Sequence, residues 1–101
     1  DPDLEPFLLR IVEILGLKVV RTLVKRKGLL SQATIDDITD EYPRDPQERA
    51  YQLLLTWYQK HGMKGAYKTL CESLTSMNMK ATADKVSELI REEQCNENGN
   101  I

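Results

Sequence analysis

The stretch DPQERAYQLLLTWYQKHG, Asp45 to Gly62, holds the only tryptophan of the chain and marks a helix at both of its ends. Asp45 can cap the first turn, Pro46 suits the first helical position, and Glu48 stands where a capping box takes an acid. Ala50, Leu53, Leu54 and Trp57 then recur at i, i+3, i+4 and i+7, the spacing of one apolar stripe on a helix. Gly62 ends the segment, because glycine takes the left-handed cap conformation without strain. A stripe of this width needs neighbours to cover it, and the flanking segments are patterned to supply them.

N-terminal to it, residues 1–5 read as a flexible lead-in, and Pro6 can start a helix whose apolar stripe is Leu8, Ile11, Val12 and Leu15. Gly16 interrupts this helix. A second helix, Leu17 to about Lys27, turns Val19, Val20, Leu23 and Val24 inward and ends at Gly28. Ser31 is a good N-cap for a short third helix, Gln32 to about Asp40, that buries Ile35 and Ile38. Pro43 biases Tyr42 away from helix, so Tyr42–Arg44 is a turn. After the anchor helix, a fifth runs from about Lys64 to Ser76 with Ala66, Tyr67, Leu70, Cys71 and Leu74 on one face. A sixth, about Lys80 to Glu93, carries Ala83, Val86, Leu89 and Ile90, and residues 94–101 read as a disordered tail. No segment alternates with period two. Six helices joined by short turns make an all-α, six-helix antiparallel bundle over residues 6–93.

Composition narrows the function. The 101 residues carry a net charge of −2, which disfavours a general nucleic-acid binder, normally basic. No run of eighteen apolar residues occurs, so the sequence has no membrane span of its own. Cys71 falls on an apolar stripe and Cys95 in a polar segment, a placement that reads as two free thiols in a reducing compartment. Catalytic readings find little support. His61, the single histidine, sits beside a helix-ending glycine, where it favours the helix dipole. One histidine and two separated cysteines do not make a zinc site of usual spacing. No glycine-rich phosphate loop is present, and Asp36 and Asp37 diverge by about 100° on a helix instead of converging on a substrate. The expectation is a protein that is not an enzyme and uses no cofactor or metal.

Charge segregation is the stronger signal. Lys18, Arg21, Lys25, Arg26 and Lys27 form a run of five cations without an anion. Asp36, Asp37, Asp40, Glu41, Asp45 and Glu48 then stand against Arg44 alone, a net −5. Solvated helix faces are the usual fate of such runs. The alternative is a docking surface, with a basic patch on one domain meeting an acidic patch on another. Such complementarity steers encounter and register, and head-to-tail contacts of that kind can propagate. Met63, Met77 and Met79 near helix ends either fill gaps in the core or mark an adaptable surface. Tyr58, on the polar side of the anchor helix, reads as an exposed tyrosine, and Lys60, Lys64 and Lys68 form a sparser basic patch.

Taken together, LSQATIDDI at Leu30–Ile38 and LLLTWYQKHG at Leu53–Gly62 followed by AYKTL at Ala66–Leu70 resemble the death-domain family, in the form carried inside cells by Fas-type receptors. The constellation Trp57, His61, Gly62, Ala66, Tyr67 and Leu70 carries most of the resemblance, which covers about Phe7 to Ile90. The resemblance implies homotypic binding: a cytoplasmic module of a plasma-membrane receptor that meets copies of itself and an adaptor death domain of the FADD kind, in an oligomeric apoptotic signalling assembly. By position it implies a face on the second and third helices. There Leu30 supports the surface, Asp36 and Asp37 form an acidic pair, and Lys25 or Arg26 is the basic partner, with Asp40 and Asp45 completing the charged set. Two departures bear on this face: one residue more between Gly28 and Ile35 than in the family pattern, and Met63 where a lysine follows the HG pair. A stand-alone or inhibitory adaptor death domain, or a helical regulatory domain of a larger enzyme, would share the same fold.

Overall fold

The computed structural model describes residues 3–99, with side chains as far as residue 92. A 3-10 turn, Glu5–Phe7, leads into five α-helices: α1 (Leu8–Arg26), α2 (Gln32–Glu41), α3 (Pro46–His61), α4 (Ala66–Ser76) and α5 (Lys80–Gly99). No strand occurs among the described residues. The count is five where six helices were expected, because the first two abut at Gly16 with no loop between them and are taken together as one bent helix. That residue has φ 80° and ψ 159°, so α1 is two arms joined at a kink. This region is essentially reserved to glycine. A Cβ at Gly16 would meet no atom within 4 Å, so the constraint is the backbone alone. Gly16→Ala should therefore cost about 1–3 kcal/mol, the usual penalty of such strain, read as a lower urea midpoint at unchanged slope.

Helix α3 is the centre of the bundle. Asp45 Oδ1 accepts from the Glu48 amide at 3.0 Å, Pro46 opens the helix, and the Gly62 amide closes it on the Tyr58 carbonyl at 2.9 Å. The Glu48 carboxylate instead accepts from the Gln52 side chain at 3.0 Å. Ala50, Leu53 and Leu54 are fully buried and Trp57 nearly so. α3 packs chiefly against α1, and α4 against α5. Leu8, Ile11, Leu23, Val24, Leu70, Leu74, Val86 and Ile90 complete a single core, as their spacing implied. Burying one Leu-sized side chain stabilises by about 1.5–3 kcal/mol, so helix pairing rests on these stripes.

Four local expectations need correction. Tyr58 is buried, not exposed, at 6 % relative exposure: it stands four residues after Leu54 and widens the α3 stripe. The lead-in is anchored, because Leu4 has no exposed surface at all. α4 begins at Ala66 and not near Lys64, since Gly65 is left-handed at φ 77° and serves as its N-cap. The backbone of α5 continues to Gly99, past the Glu93 expected. The side chain of Cys95 lies outside the described residues, as do residues 100–101. Met77 and Met79 pack against the core, whereas Met63 is exposed.

Candidate docking surface

The second arm of α1, the Leu29–Ser31 turn and α2 present the charged segments side by side in the chain. Their apolar faces are spent inward: Leu23, Val24, Ile35 and Ile38 are all buried. Helical spacing then leaves Lys18, Arg21, Lys25, Arg26, Lys27, Asp36, Asp37 and Asp40 exposed. Ser31 sets the direction of α2, its Oγ accepting from the Thr34 amide at 3.2 Å. The Leu29 amide donates to the Val24 carbonyl at 3.0 Å, closing the end of α1. Arg49 holds the other end of α2. Its Nη1 donates to the Tyr42 carbonyl at 3.1 Å and the Pro43 carbonyl at 3.2 Å, tying the α2–α3 turn to α3. No spacing rule pointed to Arg49, because its partners lie on a turn six and seven residues away.

Each expected site residue has a distinct status. Lys25 and Arg26 occupy the last turn of α1, where cations suit the helix dipole. Asp36 accepts from the Gln32 side chain at 2.9 Å. Among the described residues none of Lys25, Arg26, Asp36 and Asp37 forms an ion pair; the surface pair that does form is Lys68–Glu72 on α4, at 3.8 Å. Leu30 is only 5 % exposed and belongs to the core, so it offers little surface to a partner. Asp45 is exposed, yet its carboxylate is committed to capping α3.

Two further properties set the segment apart. Leu17, Lys18, Arg21, Thr22 and Lys25 line an open hollow of about 440 Å³ on the second arm of α1, cationic at its rim. Lys18 and Arg21 thus join the basic side, which the expected residue set left out. On α2, Asp40 and Glu41 fall in the last turn with no basic residue beside them. The helix dipole disfavours carboxylates there. Folding alone does not account for acids at that end, as a sequence tuned only for stability would place cations there. Tyr42 follows, its phenol pushed above the ordinary 10.0 by loss of water, then by Glu41 and Glu48.

Elsewhere the chemistry-bearing side chains are occupied structurally. His61 lies against Trp57, ring centres 5.5 Å apart, with Nδ1 3.0 Å from the Gly62 carbonyl and Nε2 3.3 Å from the Thr69 hydroxyl. It tethers the end of α3 to α4. Cys71 is a half-buried free thiol 3.7 Å from the Ser87 hydroxyl, and burial pushes its pKa up, the opposite of an activated cysteine. No helix among the described residues is long and apolar enough to cross a membrane.

Residues 8–90 match the family model described as Death domain. The chain is 34% identical over 100 residues to tumor necrosis factor receptor superfamily member 6 of Sus scrofa, covering 99% of this chain and 30% of that protein. With the Bos taurus protein of the same name it is 36% identical over 100 residues, covering 99% of this chain and 29% of the relative. The Mus musculus protein is 29% identical over 91 residues, covering 90% of this chain and 28% of its own length. The chain thus spans about 30% of the length of the curated relatives it matches. No solved structure matches it.

Proposed function

The chain belongs to the death-domain family, and we propose that it is the cytoplasmic docking module of a Fas-like receptor. In this reading it binds an adaptor death domain of the FADD kind, and further copies of itself, through the charged face of α1 and α2. The resulting oligomer would gather apoptotic signalling proteins on the inner side of the plasma membrane. The observation that carries the proposal is that Lys25, Arg26, Asp36 and Asp37 are exposed and make no ion pair among the described residues. Apart from the surface hydrogen bond that Asp36 accepts from Gln32, their charges are available to a partner without first breaking an internal contact.

Exposed charge pairs contribute little singly, about 0.2–1 kcal/mol each. One contact between two such domains would be weak and short-lived. Clustering changes this, because tethered neighbours meet at a high effective concentration and several weak contacts then act together. The module would therefore respond to receptor grouping instead of to a change in its own fold.

The test is co-assembly of the purified domain, immobilised at high density, with a purified FADD-type adaptor death domain, with particle size followed by light scattering at two salt concentrations. Association is expected at low salt and should weaken clearly as salt rises, since exposed charges are screened over about 10 Å at 0.1 M. Absence of co-assembly at either salt concentration, or binding indifferent to salt, would contradict the proposal.

A further inference from the structure

The lead-in and α3 are joined by a contact far apart in sequence. The Tyr58 hydroxyl donates to Asp3 Oδ1 at 2.8 Å and accepts from the Leu4 amide at 3.1 Å. The other demand on Asp3 Oδ1 is local: the Glu5 amide donates to it at 3.1 Å. The Phe7 amide then donates to the Leu4 carbonyl at 2.9 Å, which forms the 3-10 turn. Between these bonds Leu4 is wholly buried, while Asp3, Glu5 and Pro6 are exposed. The segment is therefore fixed by one apolar peg and one phenol.

We propose that Asp3–Glu5 is a strap clasped by the Tyr58 hydroxyl, which opens as a local unit ahead of the rest of the bundle and whose closure fixes the direction in which the chain joins α1. Local opening is favoured where few apolar contacts and mostly exposed hydrogen bonds hold a segment, and the strap has one buried side chain. Opening would withdraw Leu4 and leave an apolar seat beside Tyr58. The closed state couples whatever lies on the N-terminal side of Asp3 to the C-terminal part of α3, next to Trp57. None of the cations or acids of the docking surface takes part in this contact, so the strap stands independently of the proposed function.

The ionisation of the clasp agrees with its geometry. The Tyr58 hydrogen bond, then the Glu5 amide, hold the Asp3 carboxyl below its ordinary 3.8. Burial, then the bond to Asp3, hold Tyr58 above its ordinary 10.0, with the Asp3 and Glu5 charges adding smaller repulsions and the Leu4 amide opposing. A depressed carboxyl stabilises the closed form above 3.8 and loses that effect as pH falls through its folded pKa. A raised phenol stabilises it below 10.0 and loses that effect as pH rises through its own. Between those limits the strap keeps its donor and its acceptor.

Amide hydrogen exchange tests the proposal on the whole chain, in Tyr58→Phe, Asp3→Asn and, as a control, Tyr67→Phe. Tyr58→Phe keeps the buried ring and removes only the hydroxyl. Leu4 and Phe7 amides should exchange at least about tenfold faster in Tyr58→Phe and measurably faster in Asp3→Asn, while Leu53 and Leu70 amides stay unchanged and the control matches the parent. Unchanged Leu4 exchange in Tyr58→Phe, or equal acceleration of all four amides, would overturn it. The first would mean the hydroxyl clasps nothing, and the second that the strap has no opening of its own.

Discussion

Trp57→Ala is expected to destabilise the domain by about 3–5 kcal/mol, the range for emptying a large buried aromatic site. Trp57 is 2 % exposed and is the largest of the fully buried side chains. Its ring lies between two neighbours, 6.4 Å from Tyr58 and 5.5 Å from His61, both tilted by 50°. Alanine there would remove a packing surface shared by α3 and its partners and would free the imidazole that ties α3 to α4. A domain of this size holds about 5–15 kcal/mol in all, so the loss is a large fraction of the total. The measurement is urea unfolding followed by far-UV circular dichroism, because the substitution also removes the only tryptophan fluorophore. The midpoint should fall steeply with little change in slope. A variant with the parent midpoint would mean that α3 is not the element the core is assembled on.

The same helix shows how far the sequence could be read. Capping at Asp45 and Gly62 and the Ala50–Leu53–Leu54–Trp57 spacing are local signals, and local signals fixed α3 to the residue at both ends. Gly16 was legible as an interruption, but spacing cannot tell a loop from a sharp kink. That choice rests on one pair of backbone angles, which is why two expected helices became the two arms of α1. Tyr58 was misread because the minimal stripe leaves it on the polar side of the helix. The clue was its place four residues after Leu54, on the edge of a stripe wider than the minimal one. Its hydroxyl partners, Asp3 and Leu4, are more than fifty residues away, and no periodicity reports such a pairing. Arg49 was missed for a related reason, since its carbonyl partners belong to a turn whose path the bundle decides. The charged runs, by contrast, were plain in the sequence. Packing added their exposure, the burial of Leu30, and the hollow that Lys18 and Arg21 line together with Lys25.

Reversing those charges should separate docking from folding. Lys25→Glu combined with Arg26→Glu, and independently Asp36→Lys, are each expected to abolish co-assembly with an adaptor death domain while the domain stays folded, with a small drop in unfolding midpoint for the first and almost none for the second. The fold should tolerate them because all three residues are exposed and none forms an ion pair among the described residues. Surface substitutions usually stay within about 0.5 kcal/mol, and two acids in the last turn of α1 add about 0.3–1 kcal/mol each through the helix dipole. Asp36 gives up only a surface hydrogen bond from Gln32. Asp45 is kept out of the set because losing its cap would lower stability by about 0.5–2 kcal/mol and blur the comparison. The effect on docking should be far larger, because reversal replaces attraction by repulsion, and like charges facing each other across an interface cost several kcal/mol. Each 1.4 kcal/mol is tenfold in affinity, and a loss at every contact multiplies along an assembly. Mixing the two reversed proteins then asks which faces meet. If basic and acidic sides of successive copies touch, a copy with Lys25→Glu and Arg26→Glu should pair with a copy carrying Asp36→Lys, though neither self-associates. Reversed variants that still co-assemble at the parent stoichiometry would move the docking surface off α1 and α2 altogether. Loss of binding without rescue by the mixture would leave the adaptor, and not a second copy, as the partner these charges meet.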